Sequence, residues 1–335
     1  MPKIVSIILP CRNEEKYIES CIKSLINNQS DNFQLEIIVV DGMSNDKTVE
    51  IVRNYIRRFS FIKLLQNPKK TVPYAMNLGI AQAKGDFIVR ADAHALYPEN
   101  YVSTLVTKLM ELDADNVGAT WETDVLIKNN KTLAIKETVS HRFGVGNALF
   151  RLGIDKITPV DTVPFGCFRK SVFDNYGLYD LRLSRNQDIE LNKRILRGGG
   201  KIYLLPDLKC VYYARETFSA IAKNNYYNGF WNILTVKFTK KVSSLSLRHF
   251  VPLCFILSLL LPILIGFFYK PAVWIATSSL ILYFSFLTII SIRLAIQKKR
   301  HLFYLFWSFI TLHFSYGTGS LAALFYFSHI KQKRL

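Results

Sequence analysis

The final quarter of this chain has no acid in it. From Phe250 to Leu335 there is no Asp or Glu, against eight Lys and Arg. Three runs within it carry no charge at all: 250–269, 272–292 and 302–327, of 20, 21 and 26 residues. Each passes the ~18 residues at which a run reads as a membrane helix, and twenty residues at ~1.5 Å apiece cover a hydrocarbon core of ~30 Å. One such run could be a buried core helix. Three in succession predict a membrane domain over 250–335, with spans at 250–269, 272–292 and 302–327.

Lys270-Pro271 leaves room only for a tight turn between the first two spans. Arg248-His249 and Lys298-Lys299-Arg300-His301 flank the spans. The positive-inside rule then puts residues 1–249 and the 293–301 loop on the cytoplasmic side of a cell (inner) membrane, in a multi-pass arrangement. The basic tail 331–334 runs against this, because a third full crossing would leave it outside. A break at Tyr316-Gly317-Thr318-Gly319-Ser320, making the third run a re-entrant hairpin, is the alternative.

Removing those eight cations from the net charge of +18 leaves +10 on residues 1–249. Much of the positive charge flanks the apolar runs, which favours anionic lipid over nucleic acid as its counterpart. A chain that is half hydrophobic, with 17 Tyr and 24 Phe, is not disordered. Five scattered cysteines, none in C-x-x-C spacing, argue against a disulfide scaffold and a zinc ribbon, and for a reducing compartment. The first apolar run, 4–9, is too short for a signal peptide and reads as a strand.

Further β-like runs follow at 35–40, 61–66 and 87–91, with helical patterns between them. In the first gap Ile18, Cys21, Ile22, Leu25 and Ile26 share a face, with Asn13 as expected N-cap and Glu14-Glu15 in the first turn. In the second, Val49, Val52, Ile56 and Phe59 do so after Ser44-Asn45-Asp46. Strand–helix alternation at this spacing predicts βαβ units and a parallel sheet, whose ligands bind beyond the carboxyl ends of the strands.

The residues just past those ends are Pro10-Cys-Arg-Asn-Glu-Glu15, Asp41-Gly-Met-Ser-Asn-Asp46 and Asp92-Ala-His94. No glycine-rich dinucleotide fingerprint and no Walker loop follows any strand, which argues against NAD enzymes and P-loop NTPases. Asp41 can accept the N–H of a nucleobase or cap a helix. Asp92 and His94, two apart, project to one side and can share a divalent cation; a polar turn is the bland alternative. Further on, Ile189, Leu191, Ile195 and Leu196 mark a helix over 186–197, closed by Gly198-Gly199-Gly200, with Asp188 in its first turn. A helix N-terminus favours the ionised carboxylate, as a general base requires.

The runs VSIILPCRNEE, IIVVDGMSNDKT, AMNLGIAQAKGDFIVRADAH and RNQDIELNKRI resemble the ordered motifs of family 2 glycosyltransferases with the GT-A fold. FGVGNALFR, VDTVPFGCFRKSVFDNYGLYD and the three apolar runs resemble, more narrowly, the succinoglycan-type membrane glucosyltransferases of bacterial exopolysaccharide synthesis. The likeness spans essentially the whole chain. It implies an α/β GT-A domain, a Rossmann-like mixed sheet, over 1–215. Within it, 1–115 forms the nucleotide-sugar half and 116–215 the acceptor half. An interfacial basic segment over 216–249 and the membrane domain follow.

By position, the resemblance implies that Pro10, Arg12, Asn13, Glu14 and Asp41 hold the base and ribose of a nucleotide sugar, with Asn77 and Asp92 also on the donor. Asp92 and His94 match the D-x-D motif that binds a divalent cation, Mn²⁺ or Mg²⁺. His94 stands where the last Asp is usual and favours Mn²⁺. Asp188 matches the general base. Gln187, where Glu is usual, and Trp231 fall on the acceptor side. Processive relatives carry Q-x-x-R-W near 223–232, and this chain lacks that Arg. Tyr226, Tyr227, Phe230 and Trp231 are instead expected as an interfacial aromatic belt ahead of Lys237, Lys240 and Lys241, which would meet anionic head groups. The expected reaction is inverting transfer of a hexose from a UDP-sugar to a lipid-linked glycan at the membrane. Two rivals remain on the sequence alone: a sugar-1-phosphate nucleotidyltransferase, and a membrane scaffold that binds a nucleotide sugar without turnover.

Overall fold

A computed structural model describes residues 3–332, with side chains described as far as residue 326. The chain divides into two compact units, Met1–Glu122 with Leu149–Tyr213 and Thr123–Ala148 with Ala214–Leu335. Residues 123–148, expected inside the acceptor half, thus group with the C-terminal helices.

In the first unit β1 (Lys3–Cys11), α1 (Ile18–Ile26), β2 (Phe33–Asp41), α2 (Thr48–Ile56), β3 (Ile62–Gln66), α3 (Val72–Gln82) and β4 (Phe87–Arg90) alternate as the apolar pattern predicts. β1 pairs in parallel with β2 and β4, and β2 with β3. Residues 37–40 of β2 are all fully buried, the unbroken apolar run of a strand covered on both faces. Ile7 and Leu9 join α1 in one core cluster, and Ile8 between them joins α3 in the other. The sheet is therefore the middle of three layers.

Past β4 the chain continues through β5 (Ala95–Leu96), α4 (Tyr101–Glu111) and β6 (Asn116–Asp124), then α5 (Asn130–Val139) and α6 (Arg142–Val145) of the second unit. It returns to the first unit with α7 (Leu149–Leu152), β7 (Thr158–Pro159), β8 (Cys167–Arg169), α8 (Ser171–Tyr176), α9 (Gln187–Arg197) and β9 (Ile202–Tyr213). The strand order is β3-β2-β1-β4-β8-β6-β9-β5, with β7 also on β9. β8 runs antiparallel to β4, so the sheet is mixed, as the resemblance implies, and not purely parallel.

Two local expectations are corrected. Asn13 does not cap α1; Tyr17 does, and Glu14-Glu15 lie before the helix instead of in its first turn. Asn13 is left-handed (φ 57°) because residues 13–15 are laced to the loop after β2. The 186–197 helix forms as read, beginning one residue later, with Asn186 left-handed at its N-cap.

The second unit adds α10 (Phe218–Thr239), α11 (Val251–Gly266), α12 (Val273–Lys298) and α13 (Leu302–Gln332). Among the described residues only one helix, Lys270–Lys298, is long and apolar enough to cross a membrane. The expectation of three spans is revised accordingly. The 16 residues of α11 reach only about 24 Å against a core of ~30 Å. α13 is long but carries Tyr, His, Ser, Thr and Gly, and buries Leu305, Phe309, Leu312, Ser320 and Ala323 within the unit.

The re-entrant break at 316–320 does not form, since α13 runs on through it. Its glycines serve packing instead. A Cβ on Gly319 would lie 2.0 Å from the Tyr226 carbonyl, and one on Gly229 2.0 Å from the Tyr316 carbonyl, so α10 and α13 touch backbone to backbone. Tyr226 stacks on Phe230, which meets Tyr326, and Lys237 donates to the Ala323 and Leu324 carbonyls. Lys237 thus binds α13, not the head groups expected for it. Lys240 and Lys241 are exposed, and the side chains of the basic tail 331–334 lie outside the described residues.

Candidate active site

Two groups of polar side chains meet past the carboxyl ends of the parallel strands. The first joins the loops after β1 and β2. Asp41, the last residue of β2, is 2% exposed, and its carboxylate accepts the Ser44 N–H at 3.0 Å and the Ser44 hydroxyl. Asn13 donates its N–H to Ser44 Oγ at 2.8 Å and accepts the Asn45 N–H on Oδ1 at 2.9 Å. The Glu14 N–H reaches Thr48 Oγ1 at 2.8 Å, and the Glu15 carboxylate accepts the Lys47 N–H at 3.1 Å. Pro10, on β1, stands opposite Val40 of β2, and Arg12 packs its stem over Gly42. Five residues expected on the nucleotide are thus brought to one edge, where Ser44, Asn45 and Thr48 hold Asn13, Glu14 and Asp41.

The second group lies between β4 and α9. Arg90 ends β4 with its side chain 9% exposed. Its Nη2 donates to Asp92 Oδ1 at 3.0 Å, and its Nη1 contacts Asp188 Oδ2. The two carboxylates expected to hold the cation and to take the proton therefore share one guanidinium. α9 is anchored by the buried Asn192, which accepts from Asn116 at 2.8 Å and donates to Thr162 at 2.9 Å. Glu190, in the same first turn as Asp188, is turned away and paired with Arg194 at 2.6 Å. Asn77, expected on the donor, spends hydrogen bonds within the fold. Its amide closes both backbone groups of Tyr179, at 2.9 and 3.0 Å.

His94 lies between these groups. Its Nδ1 is 3.6 Å from Glu14 Oε1, and its ring meets the edge of Tyr212, which in turn stacks on Trp121 at 4.3 Å. Burial alone would hold this imidazole neutral, but Tyr212, Glu14 and Asp92 outweigh it and raise its pKa. Burial, with the carboxylate of Asp41 beside it, pushes the Cys11 thiol up and disfavours its thiolate.

Asp92 and His94 suit a divalent cation chemically, as a hard carboxylate and a borderline imidazole turned to a carboxylate, but the ring must first give up the proton that its neighbours favour. Among the described residues no group of three or more His, Cys, Asp and Glu is placed to hold a metal. A cation here would need donor phosphates or water to complete its shell.

Sequence reasoning passed over Arg90, although the run FIVRADAH contains it. A lone charge ending a strand of Phe, Ile and Val had to be buried, and a buried charge needs partners. Arg90 Nε itself has no hydrogen-bond partner, nor has the hydroxyl of nearby Tyr179, nor Gln187 Oε1 at the start of α9. Trp231, expected on the acceptor side, lies half-buried on α10 of the second unit.

Such a mixed sheet, with an acidic edge past its parallel strands, is of the GT-A type. The mannosyltransferase PcManGT of Pyrobaculum calidifontis, solved with GDP-Man and Mn²⁺, shares the fold at TM-score 0.58 and 15% identity, over 96% of this chain and 87% of its own. Residues 6–177, just over half the chain, match glycosyl transferase family 2. The chain belongs to that family and is a glycosyltransferase. It is 28% identical to the succinoglycan biosynthesis protein ExoA of Rhizobium meliloti over 74% of each chain. It is 26% identical to a dolichyl N-acetyl-α-D-glucosaminyl phosphate 3-β-D-2,3-diacetamido-2,3-dideoxy-β-D-glucuronosyltransferase of Methanococcus voltae over 83% of this chain and 88% of that one. Family membership removes the nucleotidyltransferase rival.

Proposed function

We propose that this protein is a membrane-bound, inverting hexosyltransferase. It moves a sugar from a UDP-sugar to a lipid-linked glycan in surface or exopolysaccharide synthesis. The observation that carries the reading is the placing of Asp92 and Asp188 on either side of one guanidinium, so that the diphosphate end of the donor and the proton acceptor are neighbours.

The nucleotide lies along the Asp41 edge and its diphosphate toward Asp92 and His94. Asp188 takes the proton of an acceptor hydroxyl while that oxygen bonds to C1. The bond from C1 to the diphosphate breaks on the opposite face, its electron pair leaves with UDP, and the anomeric centre inverts. Asp92 and His94 would hold a divalent cation, which when bound would supply positive charge for the departing diphosphate. Gln187 offers a hydrogen bond to the acceptor and no base.

The lipid-linked acceptor is supported by the M. voltae relative, named for a dolichyl phosphate sugar, and by the R. meliloti relative, named for succinoglycan. Membrane attachment is supported by α12, where Trp274, Ile275, Ile281, Leu282, Ile289 and Ile296 are exposed. The cytoplasmic placing of residues 1–249 rests on the basic flanks alone. The test offers native membranes a panel of radiolabelled nucleotide sugars and follows the label into solvent-extractable lipid. One UDP-sugar should transfer, with the product anomer opposite to the donor's. Release of UDP without transfer, retention of configuration, or strict preference for another nucleotide would each overturn the corresponding part. Binding with no release would restore the scaffold.

A further inference from the structure

We propose that Arg90 is a positioning residue that sets the base at a fixed place relative to the cation-binding carboxylate, through one guanidinium shared by Asp92 and Asp188. This rests on the roles proposed above. Asp92 follows the end of β4 and Asp188 stands on α9, far apart in sequence, and Arg90 contacts both. The split is not the arrangement that best satisfies an arginine. A bidentate pair would place two parallel N–H donors against one carboxylate. Here Nη1 and Nη2 go to different carboxylates, and Nε is buried with no partner.

Leaving that donor unmade is costly, so the geometry favours bridging over the strongest single pair. Arg90 meets Asp92 at Oδ1 and Asp188 at Oδ2, and each carboxylate keeps further lone pairs beyond that contact. Those are what a cation and a proton would need. A lysine ammonium in this place keeps the charge but, as a point donor, cannot hold both acids in one plane.

The experiment has two arms on the full chain in detergent. In the first, Mn²⁺ alone is titrated into wild type, Arg90→Met and Arg90→Lys and followed by electron paramagnetic resonance. Removing a cation beside the ligating carboxylate should tighten Mn²⁺ binding at least threefold in Arg90→Met, and Arg90→Lys should stay near wild type. Equal affinity in all three overturns the proposal. The second arm compares UDP affinity and turnover. Arg90→Lys should bind Mn²⁺ and UDP within threefold of wild type while kcat falls thirtyfold or more. The double variant with Asp188→Asn should be no slower than Asp188→Asn alone, because Arg90 acts through that base. Wild-type turnover in Arg90→Lys, or losses that multiply in the double variant, overturn the proposal. If wild type transfers no sugar at all, the functional reading fails, and the Mn²⁺ arm still decides the placing of Arg90. Should Arg90→Met not fold, Arg90→Lys carries both arms, and an Mn²⁺ affinity lowered more than threefold in it counts against the proposal.

Discussion

The two edges of the site handle polarity in opposite ways. Past β1 and β2, Asn13, Glu14, Asp41, Ser44 and Thr48 spend their hydrogen bonds on one another, and Asp41 is almost sealed from solvent. Between β4 and α9, Arg90 Nε, Tyr179 Oη and Gln187 Oε1 are buried without partners. Buried polar groups are normally satisfied, and an orphan marks strain or work still to be done. The first edge is a finished frame, on which the proposed base would dock with little rearrangement. The second is unfinished, as a place where charge and protons move would be. Loss of a residue at the second edge should therefore act on turnover, and loss at the first on nucleotide affinity and stability.

The sharpest test of this contrast acts on the charge at the second edge. Chelation with excess EDTA should stop transfer, a fall of about 10²-fold or more if the cation is the main stabiliser of the leaving diphosphate. Mn²⁺ should restore it better than Mg²⁺, and His94→Asp should shift that preference toward Mg²⁺ by exchanging nitrogen for oxygen. Full activity in EDTA would remove the cation from the mechanism.

Asp188→Asn comes next. It keeps shape and the Arg90 contact surface but cannot take a proton, so kcat should drop by ~10²–10⁴ while UDP binds as before. A parallel loss in calorimetric UDP affinity would mean that Asp188 belongs to the frame.

At the finished edge the effects shrink and change kind. Asp41→Ala strands the Ser44 N–H and hydroxyl, which should cost about 1–3 kcal/mol in stability and weaken UDP binding before it touches kcat. Asn13 adds a backbone control. At φ 57°, Asn13→Gly loses the Asn45 bond without strain, whereas Asn13→Ala loses it and adds about 1–2 kcal/mol of left-handed strain. Thermal melts that rank alanine no worse than glycine would show that the loop relaxes.

The frame was legible in the sequence because period and position suffice for it. Buried runs of Ile and Val fix the parallel strands, and topology then sends the following residues to one edge. What could not be read was the traffic among those residues. Asn13 looks like a helix cap until the loop beyond β2 offers Ser44 and Asn45 as better partners. Asn77 looks like a ligand until Tyr179 takes both ends of its amide. The third apolar run is legible only in part. Freedom from charge marks α13 as apolar but does not name its partners: Gly317 and Gly319 pack it closely on α11 and α10, while Phe303, Trp307 and Phe325 stay exposed.

Gln187→Glu gives the smallest expected effect and probes the unfinished edge most finely. Gln187 is 6% exposed, its Oε1 meets no donor, and Asp188 is its neighbour in the same helical turn. A carboxyl placed there would be desolvated and would face a like charge, and both push it toward the protonated form near neutral pH. A protonated acid still offers an acceptor hydroxyl one donor and one acceptor, much as the amide does. Turnover at neutral pH should then stay within about threefold of wild type. As pH rises and the new group ionises, a second negative charge beside Asp188 should appear, and the pH–rate profile should change on its alkaline side only. A tenfold gain at neutral pH would mean instead that an ionised acid is useful there, and that Gln187 marks a weakened acceptor site and not an equivalent one.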